Sequence, residues 1–326
     1  MKMEDMKNRG TRATQVHPMP RVALVAAGAT AKAMFSELPE GLPYLQRALI
    51  VEDGALSVRR FAPEGACTGE GGSMATDCTG GVAASGLEAG SRPLPLSQMK
   101  EAVEGIDLVF VVASLHEDEN GEAAFALAYE AVRCGSVVLA VLVEPSGQAA
   151  EREGGVGTMT GALQACGVTV LGAGGTDRAG TAGARLPTGA EALRFRCFYD
   201  FVTRLVCEEG KVSVDLDDLR FLLGRGGRAA FGFSATQARS WSEEDVAHVL
   251  DRPLLGAVGR GQAHGVVVGF RGGSEVLSLR ETGRAMKAVV RTLSDRAEGC
   301  FGVALDASLG STLQMGVLSI EFLPGR

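Results

Sequence analysis

Short, wholly apolar runs alternate with amphipathic segments in the first half of the chain, and this alternation limits the fold more than any other feature. Leu108–Ala113 has the sequence LVFVVA, Val137–Val143 has VVLAVLV, and Arg21–Gly28 runs from VALVAA into a glycine. Strands without polar alternation are typical of parallel sheets covered on both faces. Helical periodicity over Glu122–Cys134, between two of these runs, predicts βαβ units. The sequence therefore predicts an α/β fold with a parallel sheet.

Weaker patterns complete the first half of the chain. An apolar run predicts a strand over Leu49–Asp53, and Ser97 is placed to cap a helix that ends at Gly105. Residues 64–92 are rich in Gly, Ala, Ser and Thr, which predicts a long loop. The polar residues 1–20 predict a disordered arm.

An apolar and aromatic stripe runs along Ala190–Cys207 at helical spacing, which predicts one long helix joining two domains. In the second half, Ser242 and Asp245 form a capping-box pattern at the start of another helix. The remaining predicted elements are strands over Val266–Phe270, Phe301–Leu305 and Leu313–Phe322 and a helix over Arg280–Ser294. The predicted division is an arm (1–20), a first domain (21–188), a central helix (189–207) and a smaller α/β domain (208–326).

Composition narrows the class of protein. A formal net charge of -7 and a pI of about 5.3 argue against nucleic acid or anionic lipid as the main partner. The seven cysteines show no C-x-x-C or Cys/His ligand spacing, which is typical of reduced thiols in a cytoplasmic protein. No stretch has the roughly 18 apolar residues of a membrane span, and the N-terminus lacks a secretory pattern.

A short loop pattern follows the predicted central helix. Gly210–Asp218 has the sequence GKVSVDLDD, which resembles the catalytic loop G-x-x-N-x-D-x-x-D of the FtsZ/tubulin superfamily. Asp215 and Asp218 match its aspartates, and Ser213 stands at its asparagine. Segments that resemble later elements of the family follow in order: Gly227–Gly232, Ser242–Leu255, His264–Phe270 and Glu298–Asp306.

The resemblance extends over residues 21–326 and implies a fold and a set of site positions. The implied fold is a Rossmann-like parallel-sheet domain, a long central helix and a smaller α/β domain. Residues 86–93, GLEAGSRP, match a phosphate-side loop of the family, G-L-G-A-G-x-x-P. The phosphate-side positions implied by the resemblance are Gly28, Gly86, Ala89, Gly90 and Gly121.

The family's glycine-rich signature loop, G-G-G-T-G-T-G, is missing. In its place, between the strand Leu108–Ala113 and the helix opening at Ala123, stands SLHEDENGE, in which only Gly121 is a glycine. Glycines let backbone N–H groups approach phosphates at a helix N-terminus. Carboxylates do the opposite, since one pair of like unit charges at about 4 Å costs roughly 4 kcal/mol at an effective dielectric near 20. We therefore expect GTP to bind weakly or not at all.

The acidic segment Glu117–Glu122 has two interpretations. It is either a magnesium or calcium site, which carboxylates suit, or a solvated loop that caps the following helix. Its spacing matches no known metal loop, so we predict no metal ligand set. The family's guanine-binding positions fall near Thr188, Ala192 and Leu193, which offer neither a ring to stack nor a suitable acceptor.

Asp215 and Asp218 are also open to two interpretations. In the family, the catalytic loop acts on the GTP of the neighbouring subunit, so these aspartates would belong to a polymer interface. Alternatively, they start a helix and stabilise its N-terminal dipole. Because the chain ends at Arg326, right after the last predicted strand, we expect no C-terminal linker peptide and no direct anchoring to membrane adaptors.

Three functions remain open at this point. The first is a non-enzymatic cytoskeletal or regulatory protein that keeps a partial polymer interface and uses no cofactor. The second is an active GTPase whose remodelled pocket uses magnesium to bridge Glu117, Asp118 and the phosphates of GTP. The third is a binding scaffold without a polymer role. The resemblance implies head-to-tail contacts with itself or with another FtsZ-like protein.

Overall fold

The computed structural model of the protein describes residues 19–28, 31, 42–52, 55–61, 94–114, 118–143, 160–172, 188–237, 240–259, 261–293 and 297–322. The strands are β1 (Val22–Ala27), β2 (Leu45–Glu52), β3 (Ala55–Arg60), β4 (Leu108–Ser114), β5 (Val137–Val143), β6 (Thr169–Gly172), β7 (Gly227–Thr236), β8 (Leu255–Gly256), β9 (Gly265–Gly272), β10 (Glu298–Leu305) and β11 (Leu313–Glu321). The helices are α1 (Leu96–Val103), α2 (Asp118–Arg133), α3 (Thr188–Cys207), α4 (Leu216–Leu223), α5 (Glu243–Asp251) and α6 (Leu279–Val290), with a short helical segment at 160–165 and a 3-10 turn at Ala307–Leu309.

The first half of the chain builds the parallel part of the sheet, in the order β6-β5-β4-β1-β2, with β3 antiparallel at its edge. Val25 of β1 pairs with Val111 of β4, which pairs with Ala140 of β5. β1, β5 and residues 108–113 of β4 are buried because α1 and α2 cover one face and α3 covers the other. The strand order reverses between β1 and β4, so the sheet has a topological switch point there.

The second half continues the same sheet. β7 joins β6 through two residue pairs, Thr169 with Gly227 and Val170 with Arg228. Beyond β7 the order is β11-β9-β10, with β11 antiparallel to both of its neighbours and β9 parallel to β10. Helices α5 and α6 cover the outer face of this part around Trp241, Phe270 and Val289.

The long helix α3 lies between the two halves and packs against both. Toward the parallel part, Phe195, Phe198 and Tyr199 surround Phe110 of β4, with ring centroids 4.8–6.3 Å apart. The same helix contributes Phe201 to the core cluster that includes strands of the second half. The fold class implied by the resemblance is therefore confirmed, with α3 as the central helix.

Three glycines on neighbouring strands give α3 its close approach to the second half. Gly269 of β9 pairs with Gly302 of β10 and with Gly316 of β11. A Cβ atom at Gly269 would lie 2.5 Å from the Phe201 ring, one at Gly316 would overlap the same ring, and one at Gly302 would lie 2.5 Å from Leu205. We call these three residues the glycine row. A larger side chain at Gly269 or Gly316 would have to displace the Phe201 ring of α3.

Several predicted boundaries are wrong. β2 begins at Leu45 rather than Leu49, and β3 was not predicted because its residues are mostly exposed and carry charge. Ser97 does not cap α1, which begins at Leu96 after the extended residue Pro95. By contrast, the capping box of Ser242 and Asp245 is confirmed, with reciprocal hydrogen bonds of 2.8 and 3.0 Å.

The acidic segment before Ala123 was predicted to be a loop, and most of it is helical. α2 begins at Asp118, so residues 118–122 form its first turns. Acidic residues are favoured at a helix N-terminus by the backbone dipole, which explains why the helix extends back through them. Residues 1–18 of the predicted arm, the loop at 64–92 and the stretches 29–30 and 32–41 lie outside the described residues.

Candidate functional site

The carboxyl ends of the parallel strands meet at one edge of the sheet. Ala27, the last residue of β1, pairs with Ala113 near the end of β4, and Ala113 pairs with Leu142 near the end of β5. In open α/β sheets, ligands bind outside these ends at the switch point. For this chain, that position lies between the ends of β1 and β4.

Gly28 follows β1 at this edge. Its φ of +89° is strained for residues other than glycine, and its N–H donates to the carbonyl oxygen of Val51 over 3.1 Å. The turn therefore holds the ends of β1 and β2 together. Gly121, the fifth of the predicted phosphate-side positions, is buried inside α2. Gly86, Ala89 and Gly90 lie outside the described residues, so their roles stay predictions.

The N-terminus of α2 also lies at the switch point, since α2 follows β4 and packs across β1 and β4. The helix opens with the sequence DENGE. Where phosphates could meet the positive end of a helix dipole, this chain places acidic residues. Among the described residues, no group of three or more His, Cys, Asp or Glu side chains is placed to hold a metal ion.

The second candidate site is the loop Gly210–Asp218 at the opposite end of α3. Val212 forms an antiparallel bridge to Val303 of β10, with N–H···O distances of 3.3 and 2.9 Å. A Cβ atom at Gly210 would lie 2.5 Å from the Val303 carbonyl oxygen, so this approach requires glycine. Ser213 is exposed, and its hydroxyl oxygen accepts from the Gly210 N–H at 3.4 Å. The loop is thus pinned to the second half of the sheet.

The two aspartates sit where this loop becomes helix α4. Asp215 is exposed and is the N-cap of α4, where its carboxylate accepts from the Asp218 N–H at 2.7 Å. Asp218 is partly buried in the first turn. Below them lies Cys300, whose pKa is raised by burial and then by the charges of Asp218 and Asp215. The structure thus bears out the helix-starting role of Asp215, while its surface position leaves the carboxylate accessible to a partner.

Comparisons with known proteins agree with this architecture. The FtsZ family C-terminal domain matches residues 227–322. Cell division protein FtsZ 1 of Pyrococcus abyssi is 24% identical over 231 residues, which cover 68% of this chain and 60% of that protein. The FtsZ of Haloferax mediterranei is 25% identical over 218 residues, covering 65% and 57%. An FtsZ dimer structure from M. jannaschii superposes with a TM-score of 0.64 at 18% identity, covering 98% of this chain and 92% of that chain.

The chain has the fold of the FtsZ/tubulin superfamily, and its residues 227–322 match the FtsZ family C-terminal domain. A CetZ2 protofilament structure from Haloferax volcanii, bound to GTPγS, shares the fold with a TM-score of 0.58 at 14% identity, covering 93% of this chain and 94% of that chain. The matches span less than two thirds of the length of the curated relatives. The chain thus has the fold of the FtsZ-like cytoskeletal GTPases.

The FtsZ-like chain presents no polar group at two of the three positions expected near guanine. Ala192 is buried against the parallel half of the sheet, and Leu193 is 65% exposed on the surface of α3. Thr188, the third position, is the first residue of α3. None of the helices within the described ranges is long and apolar enough to cross a lipid bilayer.

A cavity of about 450 Å³ lies between α3 and the second half of the sheet, far from the switch point. Phe201 and Leu205 form part of its apolar wall, and Arg196 and Asp200 stand at its charged side. The ion pairs that join the end of α3 to the sheet were not predicted from the sequence. Arg271 forms them with Glu208 and with Asp306. Their partners are distant in the chain, and no local pattern marks them.

Three cysteines on α3 and β10 should react slowly with alkylating agents. Burial raises the pKa of Cys197 and of Cys207 to about 12. Burial also raises the pKa of Cys300. Because the thiolate is the nucleophile, a pKa of about 12 leaves roughly a thousandfold less of it at pH 8 than an ordinary thiol has. Peptide-resolved iodoacetamide labelling measures the alkylation rate of each cysteine. The same peptides labelled in guanidinium chloride are the control, and equal rates in both conditions would contradict the prediction.

Proposed function

We propose that this protein is a cytoplasmic cytoskeletal regulator that docks its 210–218 loop onto a nucleotide-competent FtsZ-like partner and itself binds GTP poorly or not at all. The observation that carries the proposal is an asymmetry between the two ends of α3. At one end the loop keeps both aspartates, is pinned by Val212 and leads into α4, which Asp215 caps. At the other end the helix α2 opens with acidic residues instead of glycines.

The resemblance implies head-to-tail filament contacts, which join two different faces of the molecule. The related structures include protofilaments of CetZ2 and of TubZ and a dimer of FtsZ. In a head-to-tail contact the two faces can be lost independently, because each contact uses only one face of a given subunit. A subunit with an intact loop face and an acidic opposite face would bind a filament end and stop further addition there.

The surface of α4, the helix that follows the loop, supports docking on this face. Phe221 of α4 is 48% exposed, and the Arg225 guanidinium stacks on it at 4.4 Å and on Phe322 at 4.9 Å. Glu298 pairs with Arg225 at 2.8 Å. Aromatic and arginine side chains are enriched among residues that dominate interface energies. Because Arg225 is already held on both faces, docking would cost little of its rotamer freedom.

The test is co-assembly with the nucleotide-competent FtsZ of the same organism. At about one molecule per ten FtsZ subunits, we expect the wild-type protein to lower the polymer mass pelleted with GTP by more than half. The Asp215→Ala/Asp218→Ala variant should lose this effect. Its matched control is Glu243→Ala/Glu244→Ala, which removes two exposed carboxylates from the start of α5 and should keep the effect.

Thermal unfolding of both variants separates docking from simple stability. Loss of an N-cap aspartate costs about 1 kcal/mol, so the Asp215 variant should remain folded. If wild type leaves polymer mass unchanged, or if both double variants behave alike, the one-sided partnership is wrong. In the first case, a scaffold without a polymer role becomes the better description.

A further inference from the structure

The carboxylate of Glu208, one residue past the end of α3, contacts three separate parts of the molecule. Its Oε1 accepts from the Tyr44 hydroxyl at 3.1 Å and from Arg204 Nη1 at 2.5 Å. Its Oε2 lies 3.7 Å from Arg271 Nη2 on β9. The turn before β2, the central helix and the second half of the sheet therefore share one acidic side chain.

Arg271 extends this set of contacts to the end of β10. Its Nη2 lies 2.5 Å from Asp306 Oδ2, and Asp306 Oδ1 accepts from the Ser308 N–H at 2.9 Å. The hydrogen bond from Ser308, together with the nearby charge of Arg271, lowers the pKa of Asp306 despite partial burial. The Arg271 side chain is only 19% exposed, so its charge depends on Glu208 and Asp306 for compensation.

Tyr44 reaches Glu208 from a strained backbone. Among the described residues it is the one non-glycine with a positive φ, at +64°. The preceding residue, Pro43, accepts a 2.8 Å hydrogen bond from the buried Tyr199 hydroxyl of α3. Burial, and then the charge of Glu208, raises the pKa of Tyr44 to about 12. Strain of this kind persists only where surrounding contacts hold the residue in place.

Glu208 also lies two positions before Gly210, and Asp306 lies three positions after Val303. The contacts of Glu208 and Arg271 therefore hold both sides of the Val212–Val303 bridge that pins the loop. We propose that Glu208 is a junction that couples the turn 42–44 to the position of the 210–218 loop. Release of Tyr44 from Glu208 would leave this carboxylate held by Arg204 and Arg271 alone and loosen the loop at its base. This coupling does not depend on the proposed function.

The alkylation rate of Cys300 reports on this coupling, because Cys300 is buried beneath Asp215 and Asp218. Tyr44→Phe removes only the hydroxyl that reaches Glu208. We expect it to raise the alkylation rate of Cys300 at least fivefold in the folded protein, and Glu208→Gln to do at least as much. One control is Tyr129→Phe, on the exposed side of α2. The other is Glu281→Gln, which removes a Glu–Arg ion pair with Arg284 that is not part of the Glu208 contacts.

Two further measurements decide between coupling and general loosening. Hydrogen exchange of the buried β4 amides should be unchanged in Tyr44→Phe, since a global effect would raise it together with Cys300 labelling. Tyr44→Phe and Asp306→Asn act on the same junction, so the double variant should raise the Cys300 rate less than the product of the single increases. An unchanged Cys300 rate, exchange in β4 that rises in parallel, or multiplicative single effects would each overturn the proposal.

Discussion

Gly316→Val should destabilise the protein by about 2–3 kcal/mol. The Phe201 ring occupies the space where a side chain at Gly316 or Gly269 would begin. Overpacking costs typically about 1–3 kcal/mol. Here the added atoms meet a ring that lines the cavity and belongs to a helix that also packs against the other half of the sheet. Urea unfolding measured by circular dichroism gives the change in the free energy of unfolding.

A second substitution, at Phe201, tests whether contact with the Phe201 ring causes the loss of stability. Phe201→Ala alone should cost about 3–4 kcal/mol through the cavity it leaves, but combined with Gly316→Val the two changes should be far from additive. Gly283→Ala is the matched control, because a Cβ atom there meets nothing within 4 Å on the exposed side of α6. It should be neutral or stabilise by up to about 1 kcal/mol. Additive losses for Phe201 and Gly316 would mean that the glycine is required for another reason.

The glycine row also marks the limit of sequence-based prediction for this fold. The runs LVFVVA and VVLAVLV predicted β4 and β5 because burial on both faces leaves a local trace in composition. The requirement for glycine at positions 269, 302 and 316 leaves no such trace in the sequence. Each stands in an ordinary apolar strand, and the need for glycine comes from a helix that lies much earlier in the chain. Such requirements become visible only after the strands are paired.

Some features of the candidate site could likewise be predicted from the sequence and others could not. The spacing of Gly210, Asp215 and Asp218 predicted where a loop would end and a helix begin, since capping chemistry is local. The start of α2 was misplaced because a run of charged residues resembles a loop as much as a helix N-terminus. The contact between Tyr44 and Glu208 joins residues from different halves of the chain, and no spacing rule applies to it.

The acidic start of α2 should make GTP binding weaker than about 100 μM in the presence of magnesium. At about 8 Å, each carboxylate and each phosphate charge repel by roughly 2 kcal/mol at an effective dielectric near 20. Asp118→Asn/Glu119→Gln removes two such charges from the first turn of the helix while keeping side-chain size. Calorimetric titration should then show at least tenfold tighter GTP binding, because about 1.4 kcal/mol corresponds to a factor of ten.

The sign of this change separates the two nucleotide hypotheses. If magnesium bridged the carboxylates and the phosphates, the wild type would bind GTP when magnesium is present, and the same double variant would bind more weakly. If repulsion dominates, the variant binds more tightly with or without magnesium, and added salt narrows the difference. Glu243→Gln/Glu244→Gln changes the net charge equally at a helix far from the switch point and should leave GTP binding unchanged. Tight wild-type binding that the α2 variant abolishes would therefore establish an active, remodelled pocket and remove the electrostatic basis for a one-sided partner.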